Sequence, residues 1–338
     1  MVRLKDIAER AGVSMMTVSK ALRGARDISA ATKARLRGLA QEMGYVPDSL
    51  AQGLRTRTSR AFGLIIPAVT NPYFARAILA IEEQAHELGC EVILAHHLND
   101  AAREERVIHR LLSRRVDGLL ISPVYRLDPR APIYDELLAA GTPVVILGQR
   151  GPFCAAFASA ETEDILGSMA ATRHLLGLGH RKIAFFAGPS AAPWAAERLE
   201  GYKRALREAQ IEPEEGLIFK AGNTIEEGEN AVLQMLHEEA PATAIQASND
   251  LSAVGAASLL LKQGLKIPEH FSIAGFGNIL LSEHCAVRLT TVRQPKFRLG
   301  IAAMEILRKL LRGEPAESRR LPTDLLIRAS TGSVPLRR

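Results

Sequence analysis

The stretch Leu4–Leu22, LKDIAERAGVSMMTVSKAL, decides how this chain is read. Leu4, Ile7, Ala8 and Ala11 recur at i, i+3, i+4 and i+7, the spacing that lays one apolar stripe along a helix. Gly12 is placed to end that helix, and Ser14 can cap a second by accepting a backbone N–H. On the second helix Val18 and Leu22 turn inward, which leaves Met16, Lys20 and Arg23 as an outward row. Two short helices joined by a tight turn fit a DNA major groove, and the outward row is the candidate reading face.

Ser29 is placed to cap a third helix, whose Leu36, Leu39, Ala40 and Met43 repeat at helical spacing, with Gly44 as its stop. Three such helices bury little, which suits a module that sits on a partner. The first 60 residues carry twelve lysines and arginines against five acids, a net +7; the whole chain is +6, so the remainder sums to −1. Charge confined to one end is an electrostatic footprint for a polyanion, whereas a merely solvated face mixes signs.

A chain of 338 residues is too long for one simple core and suits a small domain joined to a larger one of two lobes. The opening MVRLKDIAER lacks the apolar stretch of a secretory signal, and no run is long enough for a membrane span, so a cytoplasmic protein is expected. Cys90, Cys154 and Cys285 are widely spaced, without CxxC or nearby histidines, which predicts buried free thiols and neither disulfide nor metal. Between the two parts, YVPDSLAQGLRTRTSR (residues 45–60) has room for only about two turns of helix after Pro47, and Gly53 costs roughly 1 kcal/mol relative to alanine. This connector is expected to be largely unfolded by itself. Leu50 and Leu54 nevertheless fall on one face, an arrangement that would serve as an apolar wedge into a minor groove if two copies pair; a plain tether is the alternative.

From Ala61 onward short apolar runs alternate with amphipathic stretches, the signature of a parallel α/β sheet. Residues 62–66, 92–95, 116–122 and 143–147 read as one set of buried strands, and 183–187, 244–247, 272–276 and 289–292 as a second, which predicts two doubly wound sheets. Open sheets of this kind bind ligands beyond the carboxyl ends of their strands. That rule points to Asn71, Tyr73 and Phe74 after the first strand, to Gln149 and Arg150 after the fourth, and to residues 188–190, 248–250 and 275–278 later. These loops offer aromatic faces, amides and cations but no catalytic set: there is no GxSxG, GxxxxGK[ST] or HExxH, and Gly275 and Gly277 lack the third glycine of a dinucleotide fingerprint. His96 and His97 end a strand near the presumed cleft, but two lone histidines are more often ordinary loop residues. Neither an enzyme nor a cofactor is expected.

After the opening stretch come GYVPDSLAQGLRTRTSRAFGLIIP, NPYFARAILAIEEQAHELG, RRVDGLLISP, GTPVVIL, LLGLGHRKIAFFAGP, ERLEGYKRAL, SNDLSAVGA, GLKIPEHFSIAGFGN and LTTVRQP, in order over essentially the whole chain. Together these motifs resemble the LacI/GalR-type transcription regulators. The resemblance implies an α helix-turn-helix DNA-binding head plus an α/β two-lobed, periplasmic-binding-protein-like core with two doubly wound parallel sheets. The head would be residues 1–46, the hinge helix and linker 47–60, and the effector-binding and dimerisation core 61–338. Within the core the N-lobe would take about 61–160 and 293–320, and the C-lobe about 161–290 and 321–332. The resemblance also implies a homodimer, expected to be a repressor, that clamps a near-palindromic double-stranded operator and responds to a small sugar, sugar acid or related metabolite. The tail after Gly332 carries no heptads, so a coiled-coil tetramer is not expected. An exported sugar-binding receptor would account for the core alone, and a ligand-free architectural DNA protein for the head alone.

Carried onto this sequence, the family's base-reading positions fall on Met15, Met16 and Lys20. Lys20 can donate to guanine O6 or N7, while the methionines offer apolar contact, for instance to a thymine methyl; Met15 can instead lean onto Val18. Thr17 and Ser19 suit phosphate contacts. Leu54 matches the minor-groove wedge and Leu50 the residue that meets its twin across the dimer axis, while Gly53 departs from the larger polar residue usual there. In the core, Tyr73, Phe74, Arg198 and Asn249 match cleft positions, with Gln149 and Asn278 in the adjoining loops. Gly277 and Thr162 stand where sugar-binding members commonly carry aspartates, although Glu163 and Asp164 lie beside Thr162. With those carboxylates missing and Arg150, Arg198 and Lys296 near the cleft, a sugar acid such as gluconate or a uronate is an attractive effector. The alternative is that these cations pair with neighbouring acids such as Glu163.

Overall fold

The computed structural model describes residues 2–46 and 59–334, and the chain divides into two compact units, 1–59 and 60–338. Leu50, Gly53 and Leu54 lie outside the described residues.

The first unit holds α1 (Leu4–Ala11), α2 (Met15–Leu22) and α3 (Ala30–Glu42). Gly12 ends α1 in the left-handed conformation, at φ 66°, which a residue with a Cβ adopts only with strain. Ser14 and Ser29 cap the next two helices by accepting from the backbone N–H groups of Thr17 and Thr32, at 3.1 and 3.2 Å. Ile7, Ala8, Val18, Ala21, Leu36 and Ala40 are buried together, and Leu4, Leu22, Leu39 and Met43 pack around them. Those small side chains let α1 and α2 approach closely while one side of α2 stays free.

The second unit holds two six-stranded sheets. The N-lobe sheet contains β1 (Ala61–Ile66), β2 (Glu91–His96), β3 (Gly118–Ile121), β4 (Val144–Leu147), β5 (Ala158–Thr162) and β11 (Arg319–Leu321), in the order β11-β5-β4-β3-β1-β2, and every pair is parallel. The C-lobe sheet contains β6 (Ile183–Ala187), β7 (Ile218–Lys220), β8 (Ala244–Ala247), β9 (Ser272–Gly277), β10 (Thr290–Arg293) and β12 (Asp324–Leu326), in the order β12-β10-β9-β8-β6-β7. Both sheets are parallel as expected, save at one edge, where β12 runs antiparallel to β10. The fully apolar runs of β1, β3 and β4 are buried throughout, as strands covered by helices on both faces must be.

Among the described residues the chain passes between the lobes three times: from β5 to α7 (Asp164–Gly177), from β10 to α12 (Lys296–Leu311), and from β11 to β12. Helix α8 (Pro193–Glu208) packs on α7 through Gly201, where a Cβ would stand 2.4 Å from the carbonyl oxygen of Ile165. That approach brings Arg198, three residues earlier, against the start of α7. The three thiols are free, but only Cys154 is fully buried; Cys90 and Cys285 are half-buried. Among the described residues no helix is long and apolar enough to cross a membrane, and no cluster of His, Cys, Asp or Glu is placed to hold a metal.

Candidate DNA-reading face and effector cavity

Helix α2 presents its free side as the sequence pattern requires. Met15 and Met16 are 54% and 67% exposed, large values for thioethers that a folded core would cover, so Met15 does not join the core beside Val18. Lys20 is 39% exposed at its side chain and donates Nζ to Asp27 Oδ2 at 2.5 Å. The same hydrogen bond holds the Asp27 carboxyl below its ordinary range. Thr17 and Ser19 are half-buried on the same helix, and the Thr17 hydroxyl stays beside that of Ser14. Apolar surface flanked by a cation and hydroxyls is matched to base edges between phosphates.

Between the two lobes of the core lies a cavity of about 300 Å³, a volume that fits a small ligand. The N-lobe contributes Tyr73, Phe74, Tyr125 and Gln149; the C-lobe contributes Trp194, Arg198, Asn249, Asp250, Phe276 and Gly277. Tyr73 and Phe74 meet edge to face at 5.0 Å. The Arg198 guanidinium lies 3.8 Å from the ring centroid of Phe276 and 4.6 Å from that of Trp194. It also donates to Asp164, at 2.8 Å from Nε, and to the Ser248 carbonyl, at 2.6 Å from Nη1. Asp164 is fully buried and accepts from Thr162 and Gln294 as well, so one charge pair is buried in the cavity wall.

The other predicted residues take several roles. Asn249 caps α10 (Asp250–Lys262), accepting from the Ser252 N–H and donating to the Gly222 carbonyl. Thr162, Glu163, Arg150, Asn278 and Lys296 are not part of the cavity lining. Thr162 is buried against Asp164 and Gln294, and Glu163 precedes α7 as its cap residue. Arg150 donates to Glu161 and to the carbonyls of Ala155 and Phe157. Asn278 accepts from Arg328, and Lys296 donates to the carbonyls of Gly277 and Asn278. Burial brings the Lys296 ammonium down to about 8, against the pull of Asp250. Burial likewise pushes the Asp250 carboxyl up, opposed by hydrogen bonds from Thr291 and the Ile279 N–H. Burial alone would raise Glu161 too, but hydrogen bonds from Ser159 and Arg320 and the two guanidiniums beside it outweigh burial and hold it low. His97 is structural: it is buried, its ring meets the Ser122 carbonyl and the Asn99 N–H, and burial lowers its basicity.

Trp194, Tyr125 and Asn99 line the cavity although the sequence reading passed over them. Applying the carboxyl-end rule to the third strand would have found Tyr125, and to the second Asn99. Trp194 is the chain's one tryptophan and precedes Arg198 by four residues, one helical turn.

A DNA-sized reading helix on one unit and a ligand-sized cavity on the other define a ligand-responsive DNA-binding regulator. Residues 3–48 match the bacterial regulatory proteins of the lacI family, and residues 172–331 match the periplasmic binding protein-like domain. The HTH-type transcriptional repressor CytR of Escherichia coli K12 is 32% identical over 336 residues, covering 98% of this chain and 97% of the relative. The crystal structure of the lac repressor dimer bound to operator and the anti-inducer ONPF superposes with a TM-score of 0.87 at 28% identity, covering 98% and 99% of the two chains. A complex of the transcriptional regulator CelR with cellobiose superposes with a TM-score of 0.73 at 28% identity over 98% and 100%. The chain belongs to the LacI family: it is a helix-turn-helix transcriptional regulator with a periplasmic-binding-protein-like core, and not an enzyme.

Proposed function

We propose that this protein is a cytoplasmic repressor that grips a near-palindromic operator as a homodimer, with Met15, Met16 and Lys20 reading bases and Thr17 and Ser19 holding phosphates. The observation that carries this reading is the free face of α2, two exposed methionines and a lysine, on a unit whose charge is net positive. The similar CytR is named a repressor, and the similar lac repressor was solved as a dimer on operator. Selection from a randomised duplex library followed by footprinting tests the reading. Two half-sites related by a twofold are expected; failure to enrich any sequence would refute it. In the hinge, Leu54→Ala is expected to weaken operator binding about tenfold by removing the minor-groove wedge, with fold and ligand affinity of the core intact. Unchanged affinity in a gel-shift titration would reject the wedge.

For the cavity we propose a neutral hydroxylated ring ligand. The sugar-acid expectation needed uncommitted cations, yet Arg150, Arg198 and Lys296 are each engaged by protein acceptors. Aromatic faces with amides from Asn71, Gln149 and Asn249 suit sugar CH faces and hydroxyls, and the similar CelR was solved with cellobiose. Calorimetric titration of sugar acids against their neutral parents decides between them; tighter binding of the acid would restore the earlier expectation.

A further inference from the structure

Glu197 lies on α8 in the C-lobe, yet both of its carboxylate oxygens are held from the N-lobe. Arg320, on β11, donates Nη2 to Glu197 Oε1 at 2.9 Å, and Gln149, after β4, donates Nε2 to Glu197 Oε2 at 3.3 Å. The same Arg320 Nη2 donates at 2.7 Å to Glu161 Oε2 within the N-lobe. Arg150 holds the other oxygen of Glu161, so two guanidiniums and two carboxylates balance. Glu161 and Arg320 each stand two residues from a crossover between the lobes. A rearrangement at such a position can be passed between the lobes.

Gln149 also lines the cavity. Its amide nitrogen has two hydrogens, and both are in use: one toward Glu197 and one toward the Thr162 carbonyl, at 3.1 Å. A ligand oxygen that accepts from this amide must displace one of those acceptors. Glu197 is the easier to displace, because the Thr162 carbonyl belongs to Gln149's own lobe and Glu197 does not. Once released, Arg320 keeps its Glu161 partner, whereas Glu197, 19% exposed at its side chain and with its carboxyl pushed up by burial, must meet water, so its release goes with a parting of the lobes.

We propose that Glu197 is a positioning residue for the regulatory response: an interlobe clasp, shared by Arg320 and Gln149, that cavity occupancy opens. This deepens the proposed effector reading and rests on it. It assigns to Glu197 and Arg320 a role that requires neither to touch ligand or DNA.

The test measures lobe geometry first, without DNA or ligand. Spin labels on genetically encoded residues at the exposed positions Asp135, in the N-lobe, and Gln234, in the C-lobe, report the interlobe distance by double electron–electron resonance in the full chain. Labelled protein is diluted into unlabelled protein so that each measured pair lies within one protomer. Glu197→Gln preserves volume and an acceptor for Gln149, and Arg320→Lys preserves charge while losing the fork. Each is expected to broaden or shift the distance distribution, and the double variant to add nothing further. The control Glu208→Gln, which breaks an exposed pair with Arg173 inside the C-lobe, is expected to leave the distribution unchanged. Unchanged distributions in both single variants, or effects that simply add, overturn the clasp. The second readout is affinity for a library-selected operator duplex, expected to change about fivefold in both variants; a distance shift with unchanged affinity overturns the coupling. Failure to select any duplex refutes the DNA reading but leaves the distance result standing, so the two failures are separable.

Discussion

In the head, the lysine proposed to read bases lies at the surface against one exposed acid; in the core, the cleft arginine is walled in. Lys20 touches Asp27, and both are open to solvent. Arg198 is enclosed by Asp164, a main-chain carbonyl and two rings, with almost nothing exposed. The exposed pair is weak because water screens it, and the proposed reading has it exchange for a phosphate or a guanine. The buried pair cannot lose one member without stranding a charge in a poorly solvated interior. On the proposed reading, charge in the head serves binding, whereas charge in the core serves shape: Arg198 braces a cavity wall with its charge already paired to Asp164.

The largest effect that would break this contrast is at Arg198. Arg198→Ala should destabilise the core by about 3–5 kcal/mol, because Asp164 is left buried with Thr162 and Gln294 but no cation. Adding Asp164→Leu to Arg198→Met should recover much of that loss. Urea denaturation of the three proteins checks it. A loss below about 1 kcal/mol for Arg198→Ala would mean that the pair behaves like an exposed one, and the contrast would fail.

The next effect lies in the head. Lys20→Ala should leave stability almost unchanged and relax preference at one base pair per half-site by about 1–3 kcal/mol, the worth of a good base contact. Binding across an operator library is the measurement. Unchanged preference at every position removes Lys20 as a reader and leaves the exposed methionines to carry the face.

The head was almost fully legible in the sequence because its signals are local: Gly12 and Ser14 act on their own neighbours, and the apolar spacing of Leu36 to Met43 needs no distant partner. The long buried strands were legible for the same reason, as uninterrupted apolar runs. The strands that escaped are short or polar. Ala158–Thr162 reads ASAET, and Ile218–Lys220, Arg319–Leu321 and Asp324–Leu326 are three-residue edges whose pairing is set by the sheet. In the cavity, the carboxyl-end rule located Tyr73, Phe74, Gln149, Asn249 and Gly277. It could not tell which cations were already spent, since Arg150 meets Glu161 across eleven residues and Glu161 meets Arg320 across 159. Charge compensation is a property of the packed sheet, and no window of sequence contains it.

A smaller effect sharpens the core side of the contrast through pH. His180 is buried, with its ring against Thr243, Ser272 and the Gly332 carbonyl, and burial pulls its basicity below the usual 6.5. The folded state therefore resists a proton that the unfolded chain accepts. The stability this contributes is complete above about pH 6.5 and is lost as pH falls toward the lower folded value, by at most about 1.4 kcal/mol per pH unit. Buried carboxyls such as Glu104, which burial pushes up, respond with the opposite sign, so the difference between the wild type and His180→Asn is the proper quantity. Urea midpoints from pH 7.5 to 5 should fall more steeply in the wild type than in the variant. Parallel slopes would show that the ring accepts its proton without cost.

The smallest expected effect concerns Asp27. Its carboxylate holds the Lys20 ammonium and adds one negative charge beside the face proposed to meet DNA. Asp27→Asn frees the ammonium and removes repulsion from phosphates. Affinity for non-operator duplex should therefore rise by about two- to threefold at low salt, with the gain shrinking as salt screens it. If the pair instead aims Lys20 at its base, operator affinity will fall while non-operator affinity stays level. Salt titrations on the two duplexes separate restraint from aim. Only restraint preserves the contrast drawn above, in which charges of the head stay exchangeable and those of the core do not.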